Sequence, residues 1–159
     1  MASFTKAADV IAAAIEIERR GFAFYQNAAS AAEHIEDKDF FTFMAKEEIR
    51  HEKIFTVMLE RVGGLELPAG SSEAEYLEYI EILLDNHVLF LPGQQDAAQK
   101  NPMGQATAFE KDSILFFLAM QRFVDASERA LIESCIEEEQ RHLRYIAEHA
   151  KARAMAMKR

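Results

Sequence analysis

The tetrapeptide Glu-x-x-His occurs twice in this chain, at residues 48–51 and at residues 139–142. Residues three apart lie on one face of a helix, so the carboxylate and the imidazole of each pair point in the same direction. A further glutamate precedes each pair at nearly the same distance: Glu18 lies 30 residues before the first pair, and Glu110 lies 29 residues before the second. The sequence therefore predicts two copies of one helical unit, each with two carboxylates and one imidazole.

Apolar and small residues recur at every third or fourth position around the first copy. This spacing is typical of helix faces that pack in a bundle. It predicts one helix from Thr5 to about Glu33 and a second from about Lys38 to Val62, with a short turn at residues 34–37 and Asp37 as the N-cap. We call the packed face of each helix its seam. The apolar and small residues of the first two seams are Phe4, Ala7, Ile11, Ala14, Gly21, Tyr25, Ala28 and Ala32, then Phe41, Met44, Phe55, Met58 and Val62.

The segment from about residue 63 to residue 104 differs in composition, since most of the six glycines and three prolines fall there. Gly63 and Gly64 are predicted to end the second helix. Ser72 and Glu75 fit a capping box, which predicts a shorter helix. The apolar face of that helix carries Leu77, Ile80, Leu84 and Val88. We expect a long crossover with its own helix, so that residues 1–159 form a single domain.

The second copy has the same organisation as the first. A third helix is predicted from about Gly104 to Phe123, and a fourth follows almost at once, where Asp125 and Glu128 fit another capping box. The other seam residues are Met103, Ala106, Ser113, Phe117, Met120 and Val124, then Ile132, Cys135, Ile146 and His149. Two αα-hairpins joined by a long crossover predict an all-α four-helix bundle.

The polar seam residues are expected to lie at one level within each hairpin. Residues equidistant from the turn of an αα-hairpin lie side by side. The midpoint between Glu18 and Glu48 is position 33, next to the first predicted turn. The midpoint between Glu110 and Glu139 lies between positions 124 and 125, at the second predicted turn.

Four carboxylates in apolar seams need positive charge nearby, because an ionised carboxylate buried without a partner is strongly destabilised. No Lys or Arg occupies a seam position of the predicted helices. Two divalent cations would balance the four negative charges, and carboxylate and imidazole ligands suit iron or manganese. A Glu from each of two helices and a Glu-x-x-His from each of two others is the ligand pattern of dinuclear carboxylate bundles.

Four segments of the chain carry a resemblance to a known family: Ala14–Glu18 through Tyr25, Ala45–His51, Ala108–Phe117 and Glu137–His142. Together they resemble the rubrerythrin branch of the ferritin-like superfamily over essentially the whole chain. The resemblance implies a ferritin-like bundle that binds two metal ions. The ligand roles that it implies are bridging by Glu48 and Glu139, one position completed by Glu18 and His51, and the other completed by Glu110 and His142.

Tyr25 matches a tyrosine that family members keep near the metals, and we expect it to assist catalysis from there. Three features depart from the family pattern. The single cysteine, Cys135, cannot form the four-cysteine iron site of a rubredoxin domain. Ser113 stands where rubrerythrins carry an extra glutamate, and Phe117 stands at the symmetric copy of Tyr25. Peroxide reduction by this chain would therefore need an external electron donor.

The leading hypothesis is a di-iron or iron/manganese oxidoreductase that acts on hydrogen peroxide or dioxygen, in oxidative-stress defence or iron redox handling. Its cofactors would be two iron ions, with manganese, a mixed pair or adventitious zinc as alternatives. A second hypothesis is a ferroxidase for iron storage or delivery. A third is a metal-free helical interaction module, which leaves the four seam carboxylates unexplained.

Charge and composition limit the partners of the chain. The formal net charge of −9 argues against nucleic acid as a partner, because binding to nucleic acid requires a basic protein surface. No signal peptide and no membrane-length apolar run is recognisable, so the cytoplasm is the expected location. A homodimer is expected by the family resemblance.

The remaining polar residues have simpler interpretations. Glutamates beside the motifs, including Glu47 and Glu138, fit solvated helix positions. His34 and His149 are expected at the surface or in packing contacts, and His87 has no partner that the sequence indicates. Cys135 is expected to be a small core residue.

Overall fold

The computed structural model describes residues 4–62, 71–93 and 98–158, with the side chains of residues 71–73 left out. These residues are almost wholly helical, and no strand occurs among them. The helices are α1 (Ala7–Ala31), α2 (Ile35–Val62), α3 (Ser71–Asp85), α4 (Pro102–Met120) and α5 (Ala126–Ala156), with short 3-10 turns at Val88–Phe90 and Gln121–Phe123. The expected all-α, ferritin-like bundle is confirmed.

Helices α1 and α2 form the first hairpin, and α4 and α5 form the second. The second turn lies where the sequence predicts it: the Asp125 carboxylate caps α5 by accepting hydrogen bonds from the backbone N–H groups of Ser127 (2.9 Å) and Glu128 (3.0 Å). The Glu128 side chain turns instead towards Arg61 of α2, 3.3 Å away. The predicted N-cap is therefore present, while Glu128 links the two hairpins.

The first turn is shorter than predicted. Helix α2 begins at Ile35 rather than at Lys38, so Asp37 lies in the first turn of the helix and is not its N-cap. The Asp37 carboxylate contacts His149 (2.7 Å) and Arg153 (3.1 Å) of α5 instead. A negative charge in the first turn also stabilises a helix through the helix dipole, which is consistent with a helix that begins before Asp37.

Helix α4 likewise begins two residues before the predicted Gly104. Asn101 caps it by accepting a hydrogen bond from the Gly104 N–H (3.0 Å), and Pro102 takes the first helical position, where its missing N–H costs nothing. The helix ends at Met120, and the chain continues as a 3-10 turn to Phe123.

The crossover contains the extra helix that the sequence predicts. Ile80 and Leu84 of α3 are buried, and the Tyr76 hydroxyl donates to the Ala119 carbonyl of α4 (3.0 Å). The predicted stop at Gly63 and Gly64 and the Ser72 side chain of the capping box lie outside the described residues.

The two hairpins meet along α2 and α5, which run antiparallel. Contacts follow one another from Asp37–His149 at one end, through His51–Glu138, to Arg61–Glu128 at the other. On the opposite side α1 and α4 approach closely: a Cβ atom at Gly21 would lie 2.3 Å from Cζ of Phe109, so any larger residue would require the Phe109 ring to shift. Among the described residues, no helix is both long and apolar enough to cross a membrane.

Candidate metal centre

The structure brings all six predicted side chains together in the middle of the bundle. Five of them are completely buried, and His142 is 2% exposed. Each residue offers one oxygen or nitrogen atom to one of two groups, and within a group these atoms all lie within 4.8 Å of one another. The groups are Glu18, Glu48, His51 and Glu139, and Glu48, Glu110, Glu139 and His142.

The Glu139 carboxylate faces both imidazoles. One of its oxygens, Oε1, lies 2.8 Å from His51 Nδ1, and the other, Oε2, lies 2.7 Å from His142 Nδ1. The second carboxylate of each group is further away: Glu18 Oε2 lies 3.8 Å from His51 Nδ1, and Glu110 Oε2 lies 3.6 Å from His142 Nδ1. One carboxylate with an oxygen towards each side is the arrangement that a bridging ligand requires.

Most oxygens of the cluster have no hydrogen-bond partner among the residues that the structure describes. The atoms concerned are both carboxylate oxygens of Glu18 and of Glu48, Oε2 of Glu110, and the pair Oε1 of Glu139 and Nδ1 of His51, which lie 2.8 Å apart but outside hydrogen-bonding geometry. Leaving even one buried polar atom unpaired costs about 1–3 kcal/mol. Seven such atoms in one place fit a pair of cations, to which each residue of a group can offer one oxygen or nitrogen atom.

The carboxyl groups of the cluster differ in their affinity for protons. Burial, followed by repulsion from Glu139 and Glu18, raises the pKa of Glu48 well above its ordinary value. Burial and the charge of Glu139 likewise raise the pKa of Glu110, against a smaller opposing effect of His142. Without a cation, these two carboxyl groups therefore favour the neutral acid.

The imidazoles favour the charged form. Burial alone would lower the pKa of His51, but the charges of Glu139 and Glu18 outweigh it and hold that pKa well above its usual range. At His142, burial also lowers the pKa, but Glu110 and Glu139 outweigh it and raise the pKa to about 10. Burial would raise the pKa of Glu139, yet the two imidazoles lower it. In the absence of metal, protons thus supply the positive charge that the cluster needs.

Tyr25 lies against one side of the cluster. Its buried hydroxyl donates a hydrogen bond to Oε1 of Glu110, and burial together with the charges of Glu110 and Glu48 raises its pKa well above the ordinary value. Phe24 (4.9 Å between ring centroids), Phe109 (5.8 Å) and Phe41 (6.2 Å) surround the ring. Tyr25 therefore lies beside the cluster, where the family resemblance implies a tyrosine.

The interpretation of Glu138 as a solvated side chain is wrong. Only 15% of its side chain is exposed, and its Oε2 lies 2.7 Å from His51 Nε2. It also accepts hydrogen bonds from Arg50 of the opposite hairpin. A signal was present in the sequence, because both motifs read Glu-Glu-x-x-His and so carry an extra carboxylate beside the first ligand candidate.

His87 was also missed as a buried group, and no sequence pattern indicates it. It is completely buried, its Nε2 lies 3.3 Å from the Ser113 hydroxyl, and its ring contacts Phe109 at 5.8 Å. Burial, with a contribution from Arg20, lowers its pKa to about 3, so it is neutral. Ser113, at the position of the extra glutamate in rubrerythrins, thus has a neutral imidazole as its neighbour.

The other minor predictions agree with the structure. His34 is exposed, and His149 stacks on Phe40 at 4.3 Å. Cys135 is buried and unpaired, and burial raises its pKa to about 12, as expected for an inert core thiol.

Among known protein families, the one described as Rubrerythrin matches residues 9–150 of the chain. No curated protein and no solved structure gives a significant match. The matched range contains all six residues of the cluster, so the family and the buried carboxylate and imidazole groups together indicate a di-metal site.

Proposed function

Because the chain belongs to the rubrerythrin family, we propose that it is a di-iron oxidoreductase that reduces hydrogen peroxide or dioxygen. The observation that carries the proposal is the Glu139 carboxylate, which presents one oxygen to each imidazole within a cluster of unpaired buried carboxylates. Iron is expected by the family resemblance. Manganese, a mixed pair and adventitiously bound zinc are the alternatives that metal analysis distinguishes.

The proposed ligand roles follow the two groups of the cluster. Residues that belong to both groups would bridge the two ions, and residues that belong to one group would complete a single position. The bridging ligands are thus Glu48 and Glu139, the first position is completed by Glu18 and His51, and the second by Glu110 and His142. We call these the first and the second position below.

A bound pair of iron ions would supply redox chemistry by passing between divalent and trivalent states. The residues of the chain position the ions and manage protons. Tyr25 holds a proton at Oη against Glu110, next to the second position. The aromatic rings of Phe24, Phe41 and Phe109 exclude water from that side.

Electrons would reach the site from a separate donor. Reduction of hydrogen peroxide to two water molecules consumes two electrons and two protons, so a donor must return two electrons in each turnover. These 159 residues include one cysteine, which is buried, and therefore cannot form a four-cysteine iron centre.

Metal content after anaerobic loading with Fe(II) and desalting tests the site. We expect about two ions per chain in the wild-type protein and their loss in Glu48→Ala, which removes a bridging carboxylate. Glu137→Ala is the matched control, since this exposed glutamate lies just before the second motif and does not face the cluster. Wild-type protein without bound metal would contradict the proposal and favour the metal-free helical module.

The oxidant is tested separately, by stopped-flow mixing of Fe(II)-loaded protein with peroxide or with dioxygen. We expect peroxide to oxidise the iron faster, and Glu48→Ala to abolish the reaction. Oxidation by dioxygen alone would favour the ferroxidase alternative. Light scattering adds to this test, because iron storage requires a closed shell of many subunits, whereas we propose a cytoplasmic homodimer.

A further inference from the structure

Glu138 joins the two hairpins directly beside the first position. Its Oε2 lies 2.7 Å from Nε2 of His51, which belongs to the other hairpin. Arg50 holds the same carboxylate: one guanidinium nitrogen donates to Oε1 at 3.1 Å, and a second donates to Oε2. The outer nitrogen of His51 is therefore fixed by a carboxylate that is itself fixed.

The equivalent contact in the second motif is missing. Glu47 corresponds to Glu138, yet its Oε2 lies 3.8 Å from Nε2 of His142, which is beyond hydrogen-bonding distance. The reason is visible in the structure, since the same oxygen of Glu47 accepts a hydrogen bond from Arg50 at 2.6 Å. Arg50 thus supports one imidazole and draws the carboxylate away from the other.

An imidazole that binds a metal through Nδ1 carries its proton on Nε2, and a carboxylate that accepts this proton orients the ring and makes it a stronger ligand. Removing such a partner typically lowers metal affinity by about 10–100-fold. Among the described residues, Glu138 supports Nε2 of His51, whereas Glu47 lies too far from Nε2 of His142 to do the same, so the two imidazoles are expected to bind with different strength.

The carboxylates of the two positions also differ in their hydrogen-bond partners. Both oxygens of Glu18 are free of hydrogen bonds among the described residues, whereas Glu110 gives Oε1 to the Tyr25 hydroxyl. Glu110 thus has one oxygen without a hydrogen-bond partner, Oε2, where Glu18 has two.

We propose that Glu138 is a positioning residue that makes the first position the tighter of the two, so that the ions bind in sequence with the first position filled before the second. The inference rests on the proposed function, because it assumes that the cluster holds metal. It adds an order of loading and assigns a role to a carboxylate that is not itself a ligand.

Calorimetric titration of the metal-free protein with Co(II) under anaerobic conditions measures both binding steps, and the visible absorption of bound Co(II) reports the ligands of each. We expect two resolved steps in the wild-type protein. Glu18→Ala should remove the tighter step, and Glu110→Ala should remove the weaker one. The opposite assignment would overturn the proposal.

The role of Glu138 is tested in the same titration. Glu138→Ala should weaken the tighter step by about 10–100-fold while leaving the weaker step unchanged, and Glu138→Gln, which keeps an acceptor oxygen, should restore part of the loss. Glu47→Ala, at the symmetric position, and Glu137→Ala, at an exposed neighbour, are the matched controls and should leave the tighter step unchanged. If Glu138→Ala does not fold, as judged by circular dichroism, Glu138→Gln carries the test through a smaller shift of the same step.

The outcomes separate the two proposals. Absence of Co(II) binding to the wild-type protein would contradict the dinuclear site itself. Two equal binding steps, or equal weakening of both steps by Glu138→Ala and Glu138→Gln, would contradict the proposal that the first position is tighter. The dinuclear site would still be supported.

Discussion

The two hairpins offer the same ligand types at the same level, but their surroundings differ. Tyr25 contacts Glu110, while the symmetric residue Phe117 packs on Phe55 at 4.9 Å between ring centroids. Gly21 makes room for Phe109, while the symmetric Ser113 contacts a buried histidine. A repeated ligand pattern therefore determines where two ions would lie, and the neighbours that are not repeated determine how each would behave.

The largest effect is expected when the carboxylate that both halves share is removed. Glu139→Ala deletes the carboxylate that faces both imidazoles, so we expect loss of both ions, whereas Glu18→Ala should retain one. Metal content by mass spectrometry after loading and desalting measures this difference. One ion retained by Glu139→Ala would show that the two positions do not depend on a common bridge.

The next effect concerns pH. The pKa values of Glu48, Glu110 and His142 are raised in the folded, metal-free protein, so the stability that they contribute is present at low pH and is lost as pH rises. For His142 the window runs from pH 6.5 to about 10. Glu139, whose pKa is lowered, contributes stability that is already complete in this window.

We therefore expect the melting temperature of the metal-free protein to fall across this window. Metal binding displaces the same protons, so affinity should rise with pH and the stabilisation by metal should grow. Differential scanning calorimetry of metal-free and Co(II)-loaded protein measures both trends. A metal-free melting temperature that rises with pH would contradict the described electrostatics.

The symmetric residues Gly21 and Ser113 allow the packing of the two halves to be compared. Gly21→Ala would place a methyl group against Phe109, whose ring is held by Phe24, Tyr25 and His87, so we expect a loss of about 1–3 kcal/mol. Ser113→Ala removes only a hydroxyl partner of His87 and should cost about 1 kcal/mol. Chemical denaturation of the two variants measures both values, and equal losses would mean that Phe109 can move aside.

A similarly small effect on stability should come from making the two halves alike at Tyr25. Tyr25→Phe removes the hydroxyl that donates to Glu110, and we expect a loss of about 1 kcal/mol in the free energy of unfolding. Both metal ions should remain, because the cluster itself is intact, while the rate of peroxide reduction should fall. Loss of the second ion in this variant would show that Tyr25 holds Glu110 in place for binding.

The bundle and its centre could be predicted because their signals are local and repeated. Helix periodicity and the spacing of two motifs from two turns place Glu18 beside Glu48 and Glu110 beside Glu139 without knowledge of tertiary structure. The start of α2 was predicted too late, because Asp37 looks like an N-cap in sequence but contacts residues of α5 in the fold.

The inequality of the two halves could not be predicted from the pattern. Glu47 and Glu138 occupy the same place in their motifs, and only the position of Arg50 in three dimensions decides which of them reaches an imidazole. The environment of His87 likewise depends on how the crossover packs against α4, which neither composition nor periodicity encodes. Such contacts join residues that are distant in sequence and carry no repeat.

The division of ligands between the hairpins affects when a newly made chain could acquire its ions. Each group of the cluster draws three residues from one hairpin and one carboxylate from the other. A nascent chain that has emerged as far as α4 holds three donors for the first position and two for the second. Helix α5 is synthesised after α4 and brings Glu139, which both positions share, so metal capture would be delayed until α5 has emerged and the bundle can close around the ions.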